Sequence, residues 1–382
     1  MKHILYLGDP NSIHDLKWVS WFSTKPDYRV FFLSENSEYS QLSDDSKVEL
    51  KKIGVTLLDP IASFSIIKFW RTIRTVLALR RIIKTHDISL SHVMFATPYA
   101  FWVPFISTRT IITTRGSDVL SVLPSLSETK GLHRIHDWIL LVLMKKAFQN
   151  CSGITCTSEG QITKLKALFS LNKKPYLIRT GVNVSEISLL ESKNLTNLPK
   201  GKCIIFLPRY IQPIYRIDMQ LEAIKTLPFN IKTKIILVLI EGKNEDSDYK
   251  NKVLKLLAEL NVEFVIYKSL LQMEMWDIFK QSALAIMTPR TDGTPNTALE
   301  AMAAKCPLIL GNFSYDETLF GDEYCLRMKT DKIEELAKLI MQALERYSPE
   351  MVNKAFENVL LHGNRQNEML KLEELYKQII NS

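Results

Sequence analysis

Leu284-Ala-Ile-Met-Thr-Pro-Arg-Thr-Asp-Gly-Thr-Pro-Asn-Thr-Ala-Leu-Glu-Ala-Met-Ala303 is the stretch on which the reading of this chain turns. It opens as a short apolar run, passes through a Gly-Thr-Pro turn and resumes as an Ala- and Leu-rich helix pattern. Strand, turn and helix make half of a βαβ unit. The turn exposes backbone N–H groups at the helix N-terminus, where the macrodipole favours anions. Asp292 and Glu300 stand eight positions apart, with the helix start between them. Each can accept hydrogen bonds from hydroxyls, so the stretch suits a polyhydroxylated, negatively charged small molecule. The plain alternative is one loop acid and one helix acid. Glu300, however, sits among Ala298, Leu299, Ala301 and Met302, and a carboxylate in an apolar helix needs a partner.

The same alternation runs through most of the chain. Strand-like runs are predicted at 4–7, 30–33, 55–58, 88–94, 110–114, 154–157 and 176–179, and again at 203–207, 234–240, 263–267, 284–287 and 307–310. Helical patterns lie between many of them, including 13–23, 64–85 and 159–169 in the first series and 218–226, 249–259 and 273–280 in the second. This pattern predicts an α/β fold of parallel sheets covered by helices, and 382 residues exceed one ordinary core. We expect a Rossmann-like domain over 1–190, a second over 191–360, and a closing helix at 361–382 that can pack back on the first. Ligands of open α/β sheets bind outside the carboxyl ends of the strands. The loops at 8–14, 113–118, 208–216 and 288–296 are therefore the ones to read, and two domains can set them face to face across a cleft.

Composition is globular, with 46% hydrophobic and 24% charged residues. The five cysteines form no CxxC pair, which fits a reduced compartment and gives no zinc pattern. The His residues form no metal-like cluster, His133-Arg-Ile-His136 being the nearest approach. The first apolar run is too short for a signal peptide, and no uncharged run reaches the about 18 residues of a spanning helix. A cytoplasmic protein is expected. The net charge of +8 leaves nucleic acid, anionic lipid and phosphorylated ligands open. The run from Phe64 to Thr85 carries Lys68, Arg71, Arg74, Arg80, Arg81 and Lys84, no acid, and the bulky Phe69, Trp70 and Leu77. It reads either as a core helix with a solvated basic face or as a helix lying on an anionic membrane surface. No nucleic-acid motif appears.

Arg209 directly follows the run at 203–207, and Arg216 lies seven residues on. Two such cations can clamp a diphosphate, or can simply be solvated arginines. Gly8-Asp-Pro-Asn-Ser-Ile-His14 lets a ligand approach at Gly8, with His14 either a substrate contact or simply a polar residue at a helix start, but it is not a GxGxxG dinucleotide fingerprint. Thr113-Thr-Arg-Gly-Ser-Asp118 reads as a ligand loop or as a turn capping a helix.

Taken in order, these motifs resemble the retaining glycosyltransferases of the GT-B fold, family 4. That family's donor motif is Glu, seven residues, Glu, often with Gly-x-Pro-Asn inside and Glu-Ala-Met-Ala at its end. Arg115-Gly-Ser-Asp118, Ile154-Thr-Cys-Thr-Ser158 and Arg179-Thr-Gly-Val-Asn183 are similar to further family segments. The resemblance implies two Rossmann-like domains facing across a cleft, with C-terminal helices. It implies transfer of a sugar from a nucleotide-diphosphate sugar to a glycan or lipid-linked glycan, with retained configuration and neither a required metal nor another cofactor. A role in bacterial surface polysaccharide or glycolipid synthesis follows. By the resemblance, Asp292 binds donor-sugar hydroxyls. The backbone at Gly293, Thr294, Asn296 and Thr297 holds sugar and phosphates, and Glu300 takes the ribose hydroxyls. Arg209 and Arg216 stabilise the leaving diphosphate, while Gly8, His14, Arg115 and Asp118 lie on the acceptor side. Three departures stand out: Asp292 for the usual Glu, Arg216 for Lys, and Arg115 where many relatives have His. A UDP-sugar epimerase of the same fold and a non-catalytic nucleotide-sugar-binding protein are the alternatives.

Overall fold

The computed structural model describes residues 1–382 apart from 129–132, 194, 200, 243–245, 293 and 314, and apart from the side chains of 127, 128, 133 and 134. The chain divides into two compact units, Met1–Thr180 with Glu368–Ser382, and Gly181–Asn367.

The first unit holds a seven-stranded parallel sheet. Its strands are β1 (Lys2–Leu7), β2 (Tyr28–Leu33), β3 (Val55–Leu57), β4 (Leu90–Val93), β5 (Arg109–Thr114), β6 (Gly153–Cys156) and β7 (Tyr176–Leu177). Their order is β3-β2-β1-β4-β5-β6-β7. The second unit holds β8 (Cys203–Tyr210), β9 (Ile235–Ile240), β10 (Glu263–Tyr267), β11 (Ser282–Met287), β12 (Leu308–Leu310) and β13 (Leu326–Arg327), in the order β10-β9-β8-β11-β12-β13. This sheet too is parallel throughout.

Continuous apolar runs form these strands because both faces are covered. In β9, Ile236, Val238 and Ile240 enter one core while Ile235, Leu237 and Leu239 enter the other. In β1, Leu5 and Leu7 face one layer and Ile4 and Tyr6 the opposite one. That opposite layer is completed by the end of the chain: Met369, Leu372, Leu375, Tyr376 and Ile379 of the helix Arg365–Asn381 pack with Ile4, Tyr6, Trp18 and Phe22.

Two local differences from the sequence reading have physical causes. The basic helix begins at Phe69 rather than at residue 64. Phe64 is drawn into the core, stacked 5.3 Å from Phe101 and edge-on 5.1 Å from Trp102. Ser65 meanwhile bonds the Lys68 N–H at 3.1 Å and accepts Thr72 Oγ1 at 2.7 Å, holding the entry turn. The second difference is β13, whose two residues are too few for any periodicity.

Candidate functional site

Sheet order decides which loops meet. In the second unit, chain connection reverses between β8 and β11, the switch point where open α/β sheets bind ligands. Arg209 lies at the end of β8, Thr288 just past β11, and the helix Asn296–Ala303 starts eight residues beyond Thr288. Pro295 precedes that helix at its N-cap, and Thr294, Asn296 and Thr297 are half-buried around its first turn. Gly293 lies outside the described residues.

The structure joins three of the predicted donor-side residues directly, Arg209, Asp292 and Thr297. Arg209 Nη2 meets Asp292 Oδ2 at 3.0 Å and Nη1 donates to Thr297 Oγ1 at 3.3 Å. Its guanidinium lies 4.3 Å from the centre of the Tyr215 ring, a cation–π contact. Arg216 is 8% exposed and takes the left-handed conformation, φ 50° and ψ 46°, which is strained for a side chain of this size. Its Nε donates to the Thr288 carbonyl at 2.8 Å and its Nη2 to Asp331 Oδ1 at 2.8 Å. The Arg216 guanidinium holds the Asp331 carboxyl below the usual carboxylate range. Thr288 is itself fixed by Gln220 Nε2 at 2.8 Å. Gly311, after β12, lets that loop close in: a Cβ there would stand 2.7 Å from Thr288 Cα.

Glu300 is buried within its apolar helix, as its neighbours require, and Oε1 accepts from Gln272 Nε2 at 2.8 Å. Gln272 opens the helix Gln272–Gln281. Gln272, Thr288, Tyr215 and Asp331 were not picked out from sequence. Tyr215 and Thr288 lie in two of the loops marked from sequence but carry no signal of their own, while Gln272 and Asp331 lie outside those loops and reach Glu300 and Arg216 only through the sheet order.

The first unit has its own loop cluster at the carboxyl ends of β1, β4 and β5, with chain connection reversing between β1 and β4. Gly8 leaves room there: a Cβ would stand 2.4 Å from Asp15 Oδ2 and displace that carboxylate. Asp15, from the helix Ile13–Ser23, accepts the Asp9 N–H at 3.0 Å and faces Arg115 Nη2 at 3.1 Å. Arg115 also donates Nε to the Met94 carbonyl at 2.8 Å and lies 5.1 Å from the Trp18 ring centre. Burial raises the Asp15 pKa against the opposing pull of Arg115. His14 is exposed on the first turn of the same helix. Asp118 is fully buried, and its carboxylate accepts the N–H groups of Ala96, Arg115, Gly116 and Val119 at 2.9–3.1 Å. It therefore shapes the loop around Arg115 rather than presenting itself to a ligand. Sequence reading missed Asp15, whose place inside a helix hid its reach to two loops.

Among the described residues no three His, Cys, Asp or Glu side chains gather as a metal site would need. Nor is any described helix long and apolar enough to cross a membrane.

The family described as glycosyl transferases group 1 matches residues 190–359, and the glycosyl transferase 4-like family matches residues 3–158. No curated protein sequence matches the chain. Among solved structures, a glycosyltransferase from Rickettsia africae is similar, with a TM-score of 0.76 at 16% identity over 99% of this chain and 98% of that one. Sucrose-phosphate synthase from Thermosynechococcus elongatus has a TM-score of 0.76 at 16% identity over all of both chains. HepE from Anabaena, solved with UDP-glucose, has a TM-score of 0.75 at 12% identity over 99% of this chain and 100% of that one. At such identities these likenesses establish the fold, and the two family matches supply the rest: the chain is a glycosyltransferase of the GT-B fold, with a 4-like first domain and a group 1 second domain.

Proposed function

We propose that the chain transfers a sugar from a nucleotide-diphosphate sugar to a glycan or lipid-linked glycan acceptor with retained anomeric configuration. The observation that carries this reading is Arg209 fixed to Asp292 and to Thr297 at a helix N-terminus, with Arg216 fixed to Thr288 and a buried Glu300 on the segments that follow the same β8/β11 switch point. The arginines take the diphosphate through charge-assisted hydrogen bonds, Glu300 takes the ribose hydroxyls, and Asp292 takes hydroxyls of the sugar. The bond from the anomeric carbon to the β-phosphate oxygen breaks, and the acceptor oxygen bonds to that carbon from the same face. The acceptor's proton passes to the departing phosphate oxygen. Charge builds on the diphosphate, and two fixed guanidinium groups meet it without a metal. That UDP-glucose was captured in the similar HepE supports UDP as the first nucleotide to try.

A thermal-shift screen of UDP-, GDP- and ADP-sugars tests the donor site. One of them should raise the melting temperature, and Glu300→Ala should abolish the rise, since stabilisation scales with affinity and concentration. A shift that survives Glu300→Ala would place the nucleotide elsewhere. Proton NMR of the glycoside formed reads its configuration.

The reading also places the work at an anionic membrane surface, in building a bacterial surface polysaccharide or glycolipid. On the helix Phe69–Thr85, Thr72, Thr75, Leu79 and Ile83 form the buried face. The opposite side exposes Arg71, Arg74, Arg81 and Lys84, with Trp70 76% and Leu77 59% exposed and Ile67 84% exposed just before it. Aromatic and aliphatic bulk among one-signed charge suits a lipid interface better than bulk water. Replacing Arg71, Arg74, Arg80 and Arg81 with Gln should lower partition onto phosphatidylserine vesicles by more than about tenfold. Unchanged partition would remove the membrane from the reading.

A further inference from the structure

We propose that Asp331 is a resident counter-ion of Arg216 that competes with the donor diphosphate and so sets how tightly nucleotide is held. The inference deepens the donor reading above and rests on it.

Neighbouring strands run β8-β11-β12-β13, so their carboxyl ends bring Arg209, Thr288, Gly311 and Asp331 to one edge. Asp331 arrives there from β13, four residues beyond Arg327. Glu335 accepts the N–H groups of the two residues before Asp331, Lys329 and Thr330, each at 2.8 Å. Arg216 is held from the other side by its left-handed backbone and by the Thr288 carbonyl. The outward edge of its guanidinium, Nη2, meets Asp331 Oδ1.

The two ion pairs of the site are unlike. Arg209 and Asp292 are both largely buried, at 17% and 18% side-chain exposure, and Arg209 is further held by Thr297 and Tyr215. In the second pair Arg216 is 10% exposed and Asp331 55%. An exposed carboxylate gives up little when it leaves its partner, because water takes over its hydrogen bonds. A phosphate oxygen asks for the same donor, and a carboxylate left beside a diphosphate repels it. Asp331 therefore weakens nucleotide binding, and its departure frees the Nη2 edge for the leaving group. The lowered Asp331 carboxyl agrees with a full negative charge at this position.

The test is calorimetric titration of UDP, GDP and ADP into the full-length protein and into Asp331→Asn and Asp331→Glu. The nucleotide that binds should bind about two- to fivefold tighter to Asp331→Asn, the fold-change expected of an exposed ion pair. The gain should shrink at high salt. Asp331→Glu keeps the charge and should bind as the unaltered protein does. Equal affinity in the unaltered protein and Asp331→Asn overturns the proposal alone. Weaker binding in Asp331→Asn also overturns it, because Asp331 would then be a support for Arg216 and not its competitor. If none of the three binds the unaltered protein, the donor reading falls and the proposal with it.

Discussion

Replacing Arg209 with Ala is expected to lower the rate of sugar transfer by about 10²–10³-fold, the loss typical of removing one fixed donor to developing charge. The size of the effect follows from how the side chain is held. Its guanidinium is fixed by Asp292, by Thr297 and by the face of Tyr215. A donor held this way needs no rearrangement as the anomeric bond breaks, so its full interaction falls on the transition state. Ground-state nucleotide binding should suffer less than turnover, because the diphosphate gains negative charge only as it leaves. Arg209→Lys keeps the charge but loses the fork and much of the ring contact, and should fall between the two. Nucleotide release at saturating donor and acceptor measures all three proteins. Turnover of Arg209→Ala within about twofold of the unaltered enzyme would assign the leaving-group charge to another residue.

Much of the fold was legible in the sequence because strands buried on both faces have no choice but to be apolar throughout. The runs at 203–207 and 234–240 announced β8 and β9 in this way, and their cores divide residue by residue between the two sheet faces. The motif from Asp292 to Glu300 was legible for a different reason: backbone chemistry and an out-of-place acid share one short window. What stayed hidden was long-range. Gln272 is 28 residues from the Glu300 it bonds, and Asp331 is 115 residues from Arg216. Asp331 was concealed further by β13, which is too short to carry a pattern. Asp118 shows the converse. Its position after a strand allowed a ligand contact or a capped turn alike, and four backbone N–H groups take its carboxylate. A polar residue in a loop reads alike from sequence whether it serves the ligand or the loop.

Substitution of Tyr376 should be the most damaging single change to the stability of the first unit. Tyr376 is fully buried on the last helix, where its ring stacks 4.6 Å from Phe22. Its hydroxyl lies 3.0 Å from that of Tyr6 and bonds His92 Nδ1, while His92 Nε2 reaches Thr113 Oγ1 at 2.6 Å and Thr113 reaches Thr155 at 2.6 Å. Burial, with Arg115 nearby, pushes the His92 pKa well down, so the ring is neutral and needs both partners. Tyr376→Phe leaves a buried imidazole nitrogen unpaired and should cost about 1–3 kcal/mol. Tyr376→Ala opens a cavity as well and should cost about 3–5 kcal/mol. Five of the six tryptophans, Trp18, Trp21, Trp70, Trp102 and Trp138, belong to this unit, so fluorescence during urea unfolding reports on it preferentially. The unit recruits the chain's final residues to cover β1 and the helix Ile13–Ser23, the same helix that supplies Asp15 to the Arg115 loop. Loosening the terminal helix should therefore also disturb the proposed acceptor side. A Tyr376→Ala protein that unfolds at the same urea concentration as the unaltered one would show that this helix only rests on the sheet.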